Sequence, residues 1–98
     1  MQSTQEALDQ AARWMRSGEA GKAAETLALL IKREPANADA WCLLAGCAPD
    51  GKKQRFCLER SLSLNPDQPG LKRLAERMER GESLAPHDFV PAQLASGE

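Results

Sequence analysis

Two prolines, each closing an apolar stretch with helical spacing, constrain the fold of this chain more than any other feature. They are Pro35 and Pro66, and they lie 31 residues apart in a chain of 98 residues. The residue before a proline is disfavoured in helical geometry, so each stretch has to end there. This repeated ending predicts similar helical units stacked side by side rather than one large enclosed core.

Apolar side chains recur at three- and four-residue spacing along five stretches of the sequence, which is typical of amphipathic helices. The chain has no Tyr and only two Trp and two Phe, a composition that favours helices over strands. We predict helices over residues 3–17, 19 or 20–33, 37 or 38–47, about 51–64, and 68 or 69–80. Ser3 or Thr4, Asn37 and Asp50 are the predicted N-caps. The predicted fold class is all-α, with about five helices and no strands.

The helical pattern ends at Gly81, which divides the chain into a helical domain, residues 1–80, and residues 81–98. The second part has two prolines and no periodicity, so we predict a flexible tail or linker. It nevertheless contains Leu84, Phe89, Val90 and Leu94. These apolar residues allow the alternative that the tail folds back into a groove of the same or a neighbouring molecule.

Charge and hydropathy disfavour several classes of function. The net charge is −1, and residues 41–80 carry eight Lys or Arg against five Asp or Glu, a modest excess for a nucleic-acid-binding protein. The sequence start lacks a signal-peptide pattern, and no apolar run reaches the ~20 residues that cross a bilayer. We predict a cytoplasmic protein that does not enter the membrane.

The residues that could perform chemistry are few. Cys42, Cys47 and Cys57 lack paired C-x-x-C spacing, and His87 is the one histidine, so we predict buried reduced thiols and no metal site. The chain contains no phosphate-binding glycine loop and no nucleophile elbow. We therefore expect no cofactor and no enzymatic activity.

The two proline-ended units resemble the tetratricopeptide repeat, a helix-turn-helix unit of ~34 residues. In residues 4–37, Trp14 occupies an aromatic position, Gly18 the turn, Ala23 the small crossing position and Pro35 the terminal proline. Residues 38–67 match at both ends but are about three residues short, and a capping helix follows. The resemblance implies antiparallel helix pairs in a short right-handed solenoid, with Trp14 and Trp41 in the core.

The resemblance also implies a concave face lined by the first helix of each pair. The corresponding positions here are Gln5, Leu8, Ala12, Met15, Arg16, Asp39, Cys42, Leu43 and Gly46. For Leu8, Met15 and Leu43 we favour core positions over groove positions, because apolar helical stripes usually are core.

The implied function is a non-catalytic module of a larger bacterial protein, an adaptor or scaffold that binds a peptide or helix of a protein partner on this face. A self-associating adaptor, in which two incomplete solenoids complete each other as a homo-oligomer, is the first alternative. A weak nucleic-acid-binding protein that uses basic helices four and five is the second, less favoured one.

Overall fold

The computed structural model describes residues 3–48, 50–67, 69–82 and 84–90. Within these ranges the chain forms five α-helices and no strand, which confirms the predicted all-α class. The helices are α1 (Thr4–Arg16), α2 (Ala20–Arg33), α3 (Ala38–Cys47), α4 (Gly51–Leu64) and α5 (Pro69–Glu79). A short 3₁₀ helix, Pro86–Phe89, follows them.

Three side chains cap helix N-termini as the sequence predicts. Ser3 accepts a hydrogen bond from the backbone N–H of Glu6, and the Glu6 carboxylate accepts one from the N–H of Ser3 in return. Asn37 caps α3, and Asp50 caps α4. Each such cap contributes about 1 kcal/mol to helix stability. The short connections between helices are therefore specified largely by local chemistry.

Helices α2 and α4 end just before the two prolines, as the sequence predicts. The last helical residues are Arg33 and Leu64, so Glu34 and Asn65 stand outside the helices just before proline. Gly18, between α1 and α2, has a positive φ of 86°, a conformation that glycine adopts without the steric cost that a Cβ would add. The turn at residues 17–19 thus brings α2 back along α1.

The helix α3 lies at the centre of the fold. It packs against α2 and α4, contacts α1, and is also covered by the 3₁₀ helix. The buried hydroxyl of Ser61 in α4 donates a hydrogen bond to the Ala38 carbonyl at 2.7 Å, which joins α4 to the start of α3. Trp14 and Trp41 are partly buried against the core. The core consists of Ala7, Leu8, Ala11, Ala12, Met15, Ala23, Leu27, Leu30, Ala40, Cys42, Leu43, Ala45, Cys57, Leu58, Leu71, Leu74 and Phe89.

Residues 84–90, here called the closing segment, differ from the flexible tail predicted for residues 81–98. Phe89 is only 1% exposed, and Leu84 and Val90 are partly buried against the core. The physical reason is long-range packing, because the segment contacts α1 and α3 and these contacts leave no periodic signal in the sequence. Residues 91–98, including Leu94, lie outside the described residues.

In the part of the chain that the structure describes, no helix combines the length and the apolar character that crossing a membrane requires.

Candidate functional site

The candidate binding residues lie on α1 and α3, and the surface they form is called the inner face below. Leu8, Ala12 and Leu43 are 4%, 0% and 0% exposed and belong to the core beneath this face. Gln5 is exposed, whereas Arg16 and Asp39 are half-buried. The remaining three, Met15, Cys42 and Gly46, lie close to Phe89 of the closing segment.

Gly46 sets the distance between α3 and the closing segment. A Cβ atom placed on Gly46 would lie 2.6 Å from Met15 Cε and 2.8 Å from Phe89 Cβ. Real Cβ atoms essentially never approach other heavy atoms so closely. The Phe89 ring can pack against α3 because position 46 carries no side chain.

Cys42 fixes the backbone of the closing segment. Its thiol donates a hydrogen bond to the Phe89 carbonyl, with Sγ 3.3 Å from the oxygen. Burial, and to a lesser extent the nearby Asp39 carboxylate, raise the pKa of the Cys42 thiol to about 12. Burial also raises the pKa of Asp39. The thiol therefore stays protonated at neutral pH, where it acts as a donor and not as a nucleophile.

Polar contacts connect the closing segment to the end of α5. The Asp88 carboxylate accepts a hydrogen bond from the Ala85 N–H at 2.9 Å and lies 3.8 Å from the Arg77 guanidinium. Arg77 also pairs with Glu82 at 3.0 Å, and Arg80 pairs with the same carboxylate at 2.9 Å. Hydrogen bonds from Arg77 and Arg80 lower the pKa of Glu82. These contacts direct the chain from α5 back toward the inner face.

The edge of the inner face carries little charge complementarity for an anionic ligand. The Gln5 amide donates to the Asp9 carboxylate at 3.0 Å, so an acidic group and its amide partner stand at the start of α1. The face is apolar at its centre and offers a thiol donor there. It is suited to an apolar side chain attached to a backbone carbonyl, the arrangement that Phe89 supplies.

Sequence reasoning offered the return of Phe89 and its apolar neighbours to the concave groove as an alternative, but it did not pair Phe89 with Gly46 in particular. The available signal was a glycine inside an otherwise apolar helix together with an isolated aromatic residue in the tail. Among the described residues, no group of three or more His, Cys, Asp or Glu side chains is placed to hold a metal ion. Comparisons with protein-family models, curated proteins and solved structures find no match to this chain.

Proposed function

We propose that this chain is a non-catalytic protein-interaction module built as a tetratricopeptide-like stack of helix pairs. Its inner face recognises a short peptide segment that inserts one large apolar side chain between Met15, Cys42 and Gly46. In the absence of a partner, the closing segment occupies this face. The ligand class is a protein segment with an aromatic anchor.

The observation that supports this proposal most directly is the way Phe89 packs against the inner face. Its side chain is 1% exposed, its carbonyl accepts from the Cys42 thiol, and Gly46 provides the space for the ring. A short 3₁₀ turn can thus bury a whole aromatic side chain against α1 and α3. It needs one hydrogen bond to its backbone carbonyl and the space that Gly46 leaves for the ring. A partner segment of similar shape satisfies the same contacts.

The test uses the full chain carrying Phe89→Ala and a synthetic peptide of residues 82–92 added in trans. We expect the peptide to raise the melting temperature of this variant and to slow alkylation of Cys42, because it fills the vacated site. The same peptide with Ala at the Phe89 position serves as the matched control and should do neither. Circular dichroism and mass spectrometry of the alkylated protein provide the measurements.

The unsubstituted chain provides the second control, because its inner face is already occupied. It should show no gain in melting temperature with the peptide. Equal effects of the Phe and Ala peptides on the variant would contradict aromatic recognition by the inner face.

Self-association is the second candidate function. The connection between α5 and the closing segment favours it over nucleic-acid binding. The closing segment is joined to α5 through Gly81, whose φ is 80°. A different conformation at this glycine would direct the segment to the inner face of a second copy, which is the geometry of a domain swap. Light scattering over a concentration series distinguishes the two: a monomer supports intramolecular closure, and a dimer that Phe89→Ala dissociates supports exchange.

A further inference from the structure

The side of α3 that faces away from the closing segment forms a second apolar surface, called the outer groove below. Cys42 and Gly46 point toward the closing segment, whereas Trp41, Leu44 and Ala48 recur at three- and four-residue spacing on the other side. The outer groove has a volume of about 400 Å³. It is lined by Ala24 of α2, by Trp41, Leu44, Cys47 and Ala48 along α3, and by Lys53, Phe56 and Cys57 of α4.

Two aromatic side chains form one wall of the outer groove. Phe56 is 61% exposed, and its ring lies 6.1 Å from that of Trp41 in an edge-to-face arrangement. The Trp41 indole N–H donates to the Pro35 carbonyl at 2.9 Å, so the polar atom of the indole is satisfied within the chain. What remains accessible in the groove is apolar. Contiguous apolar surface of this kind marks interaction sites on soluble proteins.

The rim of the outer groove is basic. Lys53 lines it, and the Arg60 guanidinium lies 5.8 Å from the centre of the Trp41 ring. Lys52 is also one helical turn from Phe56. Across the described residues, the ion pairs involve neither Lys52, Lys53 nor Arg60. Glu59 is an acidic residue one helical turn after Phe56, but it lines a small cleft between α4 and α5.

We infer that the outer groove binds an acidic amphipathic segment of a protein partner. Apolar side chains of that segment pack against Phe56, Trp41 and Leu44, while its carboxylates lie beside Lys53 and Arg60. Charge complementarity selects this occupant, since the rim presents cations without carboxylate partners around an apolar floor. The inference does not depend on what occupies the inner face, because the two surfaces lie on opposite sides of α3.

Charge also decides against two other occupants. In a symmetric dimer through this groove, the same patch meets itself, so Lys53 and Arg60 would face basic residues of the second copy. A nucleic acid is bound by neutralising many phosphates at once, whereas this rim offers only a few cations around an apolar floor.

The experiment measures fluorescence anisotropy of a labelled model peptide with the full chain. The peptide is an amphipathic helix with Leu and Phe on one face and Glu on the other, and its counterpart carries Lys in place of every Glu. We expect saturable binding of the acidic peptide that weakens as salt concentration rises, and no saturation with the basic peptide.

Substitutions then assign the binding to the outer groove. Phe56→Ala should weaken binding by about 30-fold, as expected for an aromatic anchor at the centre of an interface. Lys53→Glu should weaken it by about fivefold, the size of a rim charge effect. Lys72→Glu is the matched control. It changes the net charge by the same amount, but Lys72 is exposed on α5 and does not line the outer groove. Since Phe56 and Lys53 are exposed, these variants should keep the helical circular dichroism spectrum.

Four outcomes would overturn the inference. They are equal binding of the basic peptide, an effect of Lys72→Glu as large as that of Lys53→Glu, displacement of the acidic peptide by a short single-stranded RNA, and absence of binding. A chain that is dimeric by light scattering and becomes monomeric on Phe56→Ala would likewise replace the acidic partner with a second copy.

Discussion

Gly46 is the residue whose size matters most for the inner face. Alanine is ordinarily better than glycine in a helix, so Gly46→Ala would stabilise α3 if packing did not intervene. The added Cβ would meet both the end of Met15 and the Cβ of Phe89. The Met15 side chain can rotate away, but Phe89 Cβ is fixed to the backbone of the closing segment. Packing therefore outweighs helix propensity at this position.

We predict that Gly46→Ala lowers the free energy of unfolding by about 1–3 kcal/mol, the range for overpacking a filled site. Urea denaturation followed by circular dichroism measures it. Gly21→Ala is the matched control, since this helical glycine has nothing within 4 Å of a built Cβ and should gain about 0.5 kcal/mol. In a Phe89→Gly background, which lacks the Cβ atom at position 89, the cost of Gly46→Ala should shrink. An unchanged cost would place the clash elsewhere.

Cys42 provides a pH-dependent prediction. Its pKa rises from 9.0 to about 12 on folding, so the thiol contributes stability that is complete below pH 9 and is lost as the pH rises toward 12. Between pH 9 and 10 the fall is about 1 kcal/mol for such a group. We expect a smaller fall in Cys42→Ala. Urea unfolding at pH 9 and at pH 10 measures the free energy of unfolding of both proteins. An equal fall in the two proteins would contradict a buried protonated thiol.

The elements of the fold differ in how far the sequence could specify them. The five helices and the caps at Ser3, Asn37 and Asp50 were predictable, because periodicity, capping side chains and proline act within a few residues. The packing of the closing segment was predicted only as an alternative to a flexible tail, because a single 3₁₀ turn leaves no periodic signal. Its contact with Cys42 joins residues 47 apart in the chain. The nine candidate residues were implied by the resemblance to the tetratricopeptide repeat, which could not tell that three of them lie against Phe89.

The two phenylalanines of the chain give a paired test of this element. Phe89 of the closing segment is buried against α1 and α3, and Phe56 is 61% exposed on α4. We predict that Phe89→Ala costs about 3–5 kcal/mol, as for deletion of a buried aromatic side chain, whereas Phe56→Ala changes stability by less than about 1 kcal/mol. Thermal denaturation of the two variants measures this. Similar losses in both would mean that residues 84–90 do not pack as described.

The outer groove, on the other side of α3, could likewise be predicted only in part from the sequence. Sequence reasoning assigned Trp41 to the core, and the indole is indeed partly buried. Periodicity could not reveal that Phe56 remains exposed, because that depends on the separation of α2 and α4 across α3. The local signal was the presence of Lys52, Lys53 and Arg60 around one aromatic residue at helical spacing.

At the scale of the whole molecule, the closing segment changes how the helices are connected. In a simple stack of helical repeats each unit contacts only its neighbours, so parts can unfold separately. Here the chain leaves α5, which packs on α4, and returns to α1 and α3. The last described residues are thereby coupled to the first helix.

This coupling predicts cooperative unfolding. Far-ultraviolet circular dichroism follows all the helices, and tryptophan fluorescence follows α1 and α3 through Trp14 and Trp41. Their urea transitions should coincide in the unsubstituted chain and in Phe56→Ala, but separate in Phe89→Ala. Coincident transitions in all three proteins would show that α1 to α5 are coupled without the closing segment.

The short tether between α5 and residue 84 keeps Phe89 near the inner face at an effective concentration on the order of millimolar. An outside peptide therefore does not meet an empty surface and must compete with a segment that cannot diffuse away. If the closed form outnumbers the open one by about 100 to 1, the apparent affinity of any competitor falls by about the same factor. Weak, generic apolar peptides would then be rejected, and the strength of closure, more than the shape of the face, would set the threshold that a partner has to exceed.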